Sequence, residues 1–443
     1  MFGMAGMSPV RLLTLGKDLT ISFAADELSV FFMCITTLIW VLVGIYAIAY
    51  MKHEERMGQF FLIYVLLYIV LIALDCSANL VTMYACYEFM TLVSMLLVAH
   101  NRSREAIMAT LKYLFYSLCG AYLGLFGIFY LNHYCTDLDF GGAGKLDLAA
   151  LAGHESTMLI VVFLMLVGFG TKAGMFPLHG WLPAAHPVAP SPASAALSAI
   201  IVKSGVLATI RVVYNIIGAD FLRGTWVQTA WMSLTLLTVF MGSMLAFREP
   251  VVKKRFAYST VSQVSYILFG LSLLQEQAFT GSLLHIYFHA IIKCGLFLCA
   301  GVFLVVCNRR RVDELYGIGR KMPVMMWCYT CFALALVGIP PTSGFVSKWQ
   351  LAVGALDTNV GSFSWFGPVV LLLSALLTAG YLLPVTMRGF FPGDDDRCTE
   401  LAKKEPPLLM LIPLIVLAAL AVLSGVFPNG LLSVCRKLAG LWL

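Results

Sequence analysis

His285, His289 and Lys293 stand four and four residues apart in LLHIYFHAIIKCGLF. In a helix that spacing puts all three on one face, spread over about 12 Å at 1.5 Å per residue. Two imidazoles and an amine so arranged suit a proton relay, because histidine titrates near neutral pH. Metal binding by the two histidines is the competing chemistry. It needs a third ligand, and no carboxylate or cysteine accompanies them at useful spacing.

Four further ionisable residues lie inside apolar runs. Glu88 sits in MYACYEFMTLVSML, Lys172 in GFGTKAGMFPLHGWLPAAH, Lys203 in SAIIVKSGVLATIR and Lys348 in GIPPTSGFVSKWQL. If these runs cross a bilayer, each charge costs roughly 2.5–3.5 kcal/mol at a helix centre. The four lysines and one glutamate then cost about 12–17 kcal/mol gross, comparable with the whole net stability of a domain. For a single residue, a paired or snorkelling side chain is the plain explanation. For the set, proton chemistry is the better one, since burial disfavours the charged form and a nearby opposite charge restores it. Asp75 lies at a run's end and reads as a solvated boundary residue. His179 and His186 flank a proline-rich break and fit either solvated caps or an access route.

The elements that must hold these residues follow from composition. Of 443 residues, 60% are hydrophobic and only 12% charged. Soluble chains run about 45–50% and about 25%. So few ionisable groups could not cover a soluble surface of this size, and the mean hydropathy of +0.89 agrees. A polytopic, all-α membrane protein is the reading. A soluble enzyme, a nucleic-acid binder or a secreted module is excluded.

Runs of about 20 apolar residues occur at 28–50, 59–75, 77–99, 112–132, 158–178, 191–214, 226–247, 255–274, 279–306, 324–357, 366–390 and 407–427. That makes about twelve spans. The fifth runs into Pro177, Pro183, Pro187, Pro190 and Pro192, and the tenth contains Pro340-Pro341. Proline breaks helices, and a break at membrane depth persists only where protein or a wet cavity satisfies the freed backbone. Numbering the loops alternately puts 18 basic residues on one side and 7 on the other, with 4 of the 29 inside spans. The positive-inside rule then places both termini outside. Arg11, Gly16, Lys17 and Asp18 interrupt the N-terminal 25 residues, which therefore do not read as a cleavable signal. The twelve cysteines, Cys328-x-x-Cys331 included, read as small buried residues. Loops 133–157 and 393–406 read as solvated connections.

These residues together resemble the antiporter-like family of proton-translocating membrane subunits: the pumping subunits of respiratory complex I, their counterparts in energy-converting membrane hydrogenases, and the large subunits of multi-subunit sodium/proton antiporters. The strongest part is GFGTKAGMFPLHGWLPAAHPVAPSPASAALSAIIVKSGVLATIR, residues 168–211, with YACYEFM, HAIIKCGLFLCAG and GIPPTSGFVSKW as further matching stations. The resemblance implies two inverted five-helix repeats, each with one broken helix. The organisation would be a short segment 1–25, a first helix and loop 26–57, repeats at 58–214 and 226–391, and a C-terminal helix and tail 407–443. It implies Glu88 as the charge paired with Lys172, Lys172 as the switching lysine, Lys203 as the connection to mid-channel, His285, His289 and Lys293 as the link between halves, and Lys348 as the terminal site.

The resemblance further implies no cofactor in this chain. Flavin, iron–sulfur clusters or a nickel–iron centre would sit in peripheral redox subunits, with homologous antiporter-like subunits as membrane partners and a bacterial plasma membrane as location. Common members have fourteen spans, and this chain reads as lacking the first two. Lys293 after His289 leans the assignment toward the hydrogenase or antiporter branches. The rival functions are a sodium/proton antiporter subunit, an inert structural scaffold, and, more weakly, a stand-alone solute transporter.

Overall fold

The computed structural model describes residues 9–15, 19–395, 397–401 and 403–443. Residues 1–8 and 16–18, which include Lys17 and Asp18 of the expected N-terminal segment, lie outside the described residues. The all-α expectation holds for the body of the chain, with one small sheet besides. Strand β1 (Val10–Leu15) pairs antiparallel with β2 (Leu19–Phe23). In sequence, the two strands are the β-prone stretches VRLLTL and LTISF.

Everything else of size is helical. The first half holds α1 (Glu27–Tyr50), α2 (Met57–Asp75), α3 (Leu80–Val98), α4 (Arg104–Tyr134), the short α5 (Leu148–Leu151), α6 (Glu155–Ala173), α7 (Leu182–Val188), α8 (Ser191–Ala196), α9 (Val202–Ile210) and the short α10 (Ala219–Leu222). The second holds α11 (Trp226–Arg248), α12 (Val252–Ser272), α13 (Glu276–Val305), the short α14 (Ile318–Lys321), α15 (Pro323–Val337), α16 (Ser343–Asp357), α17 (Phe363–Phe390), α18 (Leu408–Val426) and α19 (Asn429–Ala439). π-helical turns at Leu197–Ile201 and Arg211–Ile217 join α8 and α9 into one rod, Ser191–Ile217.

Among the described residues, ten helices are long and apolar enough to cross a membrane. The outer surface suits lipid, with Leu62, Phe129, Leu372 and Leu376 each at least two-thirds exposed. Two of the twelve expected spans are absent from those ten for physical reasons. Helix α12 is too polar: Ser259, Thr260, Ser262, Gln263 and Ser265 lie in its middle, all fully buried. The run 324–357 is not one helix but α15 and α16. The most enclosed rods are Ser191–Ile217, buried over its entire apolar window, and α13, buried over 89%. A helix apolar all round belongs inside a bundle, and these two carry Lys203 and the His–His–Lys row.

Both proline-rich breaks share one local grammar. Helix α6 ends at Gly174 (φ 82°), before the cis peptide Phe176–Pro177. Helix α15 ends at Gly338 (φ 88°), before the cis peptide Pro340–Pro341. Glycine tolerates this left-handed cap where other residues are strained. Each expected repeat, 58–214 and 226–391, holds one such break.

The loops bearing Glu54, Asn101, Lys253 and Arg310 converge on one cavity, so they share one end of the bundle, the basic end. At the opposite end, Asn215 donates to the carbonyls of Phe140 and Gly142, and Gly144 donates to the Asn215 carbonyl. The loop 133–157, expected as solvated, is thus partly docked, with Leu138 and Phe140 buried. In the other expected connection, 393–406, Cys398 is buried. Asp75 is also corrected. It is 4% exposed and accepts from Thr36 Oγ1 at 3.0 Å. The strand running into Ala24, whose amide donates to the Cys76 carbonyl, covers the helix end that the sequence left open.

Candidate functional site

The first cluster surrounds Lys172, one residue short of the end of α6 and fully buried. Its ammonium donates to Tyr113 Oη at 2.7 Å, Thr91 Oγ1 at 2.8 Å and Ser117 Oγ at 3.3 Å. The Tyr113 hydroxyl is shared with Ser94 at 2.7 Å, and the ring lies 4.5 Å from the ammonium. Helix α3 supplies Thr91 and Ser94, and α4 supplies Tyr113 and Ser117.

The pairing with Glu88 that the resemblance implies is not a direct contact. No Glu88–Lys172 ion pair within 4 Å occurs among the described residues. Glu88 is half-buried beside Tyr84 and reaches the lysine only through the longer-range field. On α3, Thr91 lies about one turn beyond Glu88, so the hydroxyls occupy the position nearest the amine. Sequence reasoning missed Thr91, Tyr113 and Ser117. They stand scattered among apolar residues, and only their shared burial reveals them.

The second cluster is longer. Lys203 Nζ lies 2.7 Å from His289 Nδ1 and donates to the Ser198 carbonyl at 2.8 Å. That carbonyl falls in the π-helical turn, where the widened spacing exposes backbone acceptors, a recurrent feature of functional sites. His289 stacks toward His285 with ring centroids 6.0 Å apart. His285 Nδ1 lies 2.9 Å from Ser347 Oγ, and its ring stacks on Tyr266 at 5.6 Å. Ser347 precedes Lys348, whose ammonium is 5.2 Å from the Tyr266 ring centre. Lys348 donates to the carbonyls of Leu336 and Val337 at 2.6 and 3.0 Å. These are the last, otherwise unpaired carbonyls of α15, the negative end of a half-helix dipole. The break therefore builds the cradle that holds the lysine.

Lys293 is fully buried, donates to the Phe256 carbonyl at 3.2 Å, and is within electrostatic range of Lys203 and Lys348. The structure thus brings Lys203, His285, His289, Lys293 and Lys348 together, and sets Lys172 and Glu88 apart as a neighbouring group. The backbones of the two groups do touch. A Cβ placed on Gly205, two residues past Lys203, would stand 3.1 Å from Lys172 Cβ and 2.9 Å from the Ala173 nitrogen.

Both histidines are two-sided. Each has Nδ1 partnered, while Nε2 is buried without a protein partner. If Lys203 donates to His289 Nδ1, the ring proton resides on Nε2, a tautomer assigned from the hydrogen bond. Such a ring can accept on one nitrogen and release from the other. Gln263, on the polar α12, is also fully buried with neither amide atom paired. Buried polar groups need partners, and ordered water is their usual one in protein interiors. The serines and glutamine of α12 lie in the run 255–274, counted above as apolar, and their clustering is the signal that could have marked them.

The family model described as "NADH:quinone oxidoreductase/Mrp antiporter, TM" matches residues 77–391, and "NADH-Ubiquinone oxidoreductase (complex I), chain 5 N-terminus" matches 13–61. The chain is 31% identical over 402 residues to NADH-quinone oxidoreductase subunit N of Desulforudis audaxviator, covering 88% of this chain and 78% of that one. It is 30% identical over 428 residues to hydrogenase-4 component B of Escherichia coli, covering 92% of this chain but 62% of the relative. In three dimensions it is similar to a chain of the Mrp complex from Dietzia, with a TM-score of 0.85 at 20% identity, covering 98% of this chain and 87% of that one. The broken helices with their buried lysines lie within the matched 77–391, and the chain belongs to the NADH:quinone oxidoreductase/Mrp antiporter family of membrane subunits.

Proposed function

We propose that this chain is the proton-translocating subunit of a complex I-like oxidoreductase or membrane hydrogenase. The observation that carries the reading is the contact sequence Lys203–His289–His285–Ser347–Lys348, which crosses between the two halves of the chain. Amine, imidazole and hydroxyl can each hand a proton to the next when the gaps are one hydrogen bond or one water long. The relatives that share about 30% identity are named as a subunit and a component of such assemblies.

A charge change near Glu88 alters how firmly Lys172 holds its proton, because the two interact through a low-dielectric interior. A proton displaced from Lys172 moves to Lys203, along the histidines, and out by Lys348. Beyond Lys348, a polar pocket of about 300 Å³ lined by Thr280, Gln350, Glu276 and Arg436 offers the exit. The energy comes from partner subunits bearing flavin, iron–sulfur or nickel–iron centres, and homologous membrane subunits sit alongside. The basic end faces the cytoplasm of a bacterial plasma membrane, and both termini face outward.

The test is proton uptake by inverted membrane vesicles that carry the assembled complex. Lys172→Ala and Lys348→Ala are expected to abolish uptake while the complex assembles normally. Uptake at the unmutated rate in both variants would leave only a scaffold role. Uptake that requires sodium would replace redox-driven pumping with sodium/proton exchange.

A further inference from the structure

At the basic end a cavity of about 690 Å³ opens between the end of α1, α7, the start of α12 and the end of α13. Glu54, Lys253 and Tyr50 line it. The sequence of polar groups behind it is unusual. Tyr50 Oη lies beside Glu54 and Ser191, and neither it nor Ser191 Oγ makes a hydrogen bond of good geometry. His186, next in sequence to the lining segment Pro187–Ala189, is 0% exposed, with both ring nitrogens buried and unpartnered. Full burial rules out its being a solvated cap of the break. Lys253 donates to the Ala189 carbonyl at 2.8 Å and, with Lys293, is a charged neighbour of the His186 ring. The ring stacks on Phe297 at 4.6 Å. Phe297 is four residues beyond Lys293, so the ring that His186 stacks on lies one turn along the helix from that lysine.

We propose that this cavity is the proton-uptake vestibule and that His186 relays protons from it, by way of Tyr50 and Ser191, to Lys293. The inference rests on the reading that Lys293 belongs to the proton path. A buried imidazole with two unpaired nitrogens is costly as mere packing, since each lacks a hydrogen bond it would have in water. As a relay it is suited: one nitrogen takes a proton from the vestibule side, the other gives its own to the neutral amine of Lys293. The amine becomes an ammonium, and the ring is neutral again as the other tautomer. Lys293 then acts as the branch point, feeding Lys203 and His289, whose charges it already senses.

The experiment uses the assembled complex in inverted vesicles. His186→Phe keeps the stack on Phe297 and removes both nitrogens. It is expected to lower the rate of proton uptake at least about tenfold, with Tyr50→Phe lowering it less and assembly unchanged. If His186→Phe fails to assemble, accessibility decides. Val188→Cys, lining the cavity, is treated with a membrane-impermeant thiol reagent, beside the unmutated chain as control. Labelling that blocks uptake from one membrane face supports the vestibule. Absent labelling, or labelling without loss of uptake, overturns it. Lys172→Ala is run in parallel. If that variant is inactive while His186→Phe and Tyr50→Phe pump normally, the vestibule is wrong and the relay stands. If Lys172→Ala also pumps normally, the proposed function itself is wrong.

Discussion

Lys203 Nζ and His289 Nδ1 lie 2.7 Å apart, both enclosed, and among the described residues no carboxylate is hydrogen-bonded to either. The two groups compete for one proton in the gap. Lys203→Met and His289→Gln should each lower proton flux on the order of a hundredfold. The double variant should be no worse than either single one, because one shared step fails in all three. Initial rates of vesicle acidification measure this, and additive losses would show two separate routes.

Tyr113 is a second target. Its hydroxyl is 2.7 Å from the Lys172 ammonium and takes part in the link to Ser94. Tyr113→Phe removes one oxygen and keeps the ring. A hydrogen bond to a charged group contributes about 1.5–3 kcal/mol, so flux should fall by roughly ten- to a hundredfold. Thr91→Val should act in the same direction through its 2.8 Å bond. Unchanged flux in both would mean that the hydroxyls only pack.

Gly205 tests whether the two clusters depend on close helix approach. A Cβ there meets the Phe169 carbonyl oxygen at 2.5 Å as well as Lys172 Cβ at 3.1 Å. Overpacking of this kind costs about 1–3 kcal/mol. Gly205→Ala should lower the melting temperature of the detergent-solubilised chain, and its flux loss should exceed that of an equally destabilising change on the lipid face.

Asp26 and Arg211 form the clasp between α1 and the end of the rod Ser191–Ile217. Arg211 is 2% exposed and donates to both Asp26 oxygens, at 2.5 and 2.8 Å. Burial alone would raise the Asp26 carboxyl, but the Arg211 guanidinium and the Ser29 hydrogen bonds hold it below the usual carboxylate range. A lowered folded value means that the clasp contributes in full above the ordinary carboxylate pKa and is lost as pH falls through the folded one. Asp26 is 41% exposed, so solvent screens the pair and Asp26→Asn should destabilise by about 1 kcal/mol at neutral pH. The difference from the unmutated chain should shrink as the medium is acidified below the carboxylate range. Melting curves across that range check both.

The membrane architecture was legible because composition and charge alternation are global signals. Twelve apolar runs, two proline-rich breaks and the lopsided basic residues could all be counted. What escaped was local and three-dimensional. The hairpin is too short and too near the terminus to register as a periodic pattern. Asp75 looked solvated because its cover, the segment at Ala24, is some fifty residues away in sequence. The charges of the site stood out as misfits in apolar runs, but Thr91, Tyr113, Ser117 and Ser347 are ordinary residues of membrane helices until a neighbour's amine points at them. The family resemblance points to a charge, Glu88, as the partner of Lys172, and the three hydroxyls that hold the amine are no part of that signal.

The cradle of Lys348 has a consequence for electrical bookkeeping. Its ammonium rests on two backbone carbonyls at the end of a half-helix, not on a carboxylate. When a lysine paired with a carboxylate gives up its proton, an anion stays behind and pulls the proton back. When this one does, only neutral dipoles remain. On the proposed path Lys348 would empty without leaving a full countercharge, and only the partial negative charge of the half-helix end would draw the proton back. A broken helix, costly to the fold, would on that path hold the ammonium with a weaker pull than a carboxylate exerts.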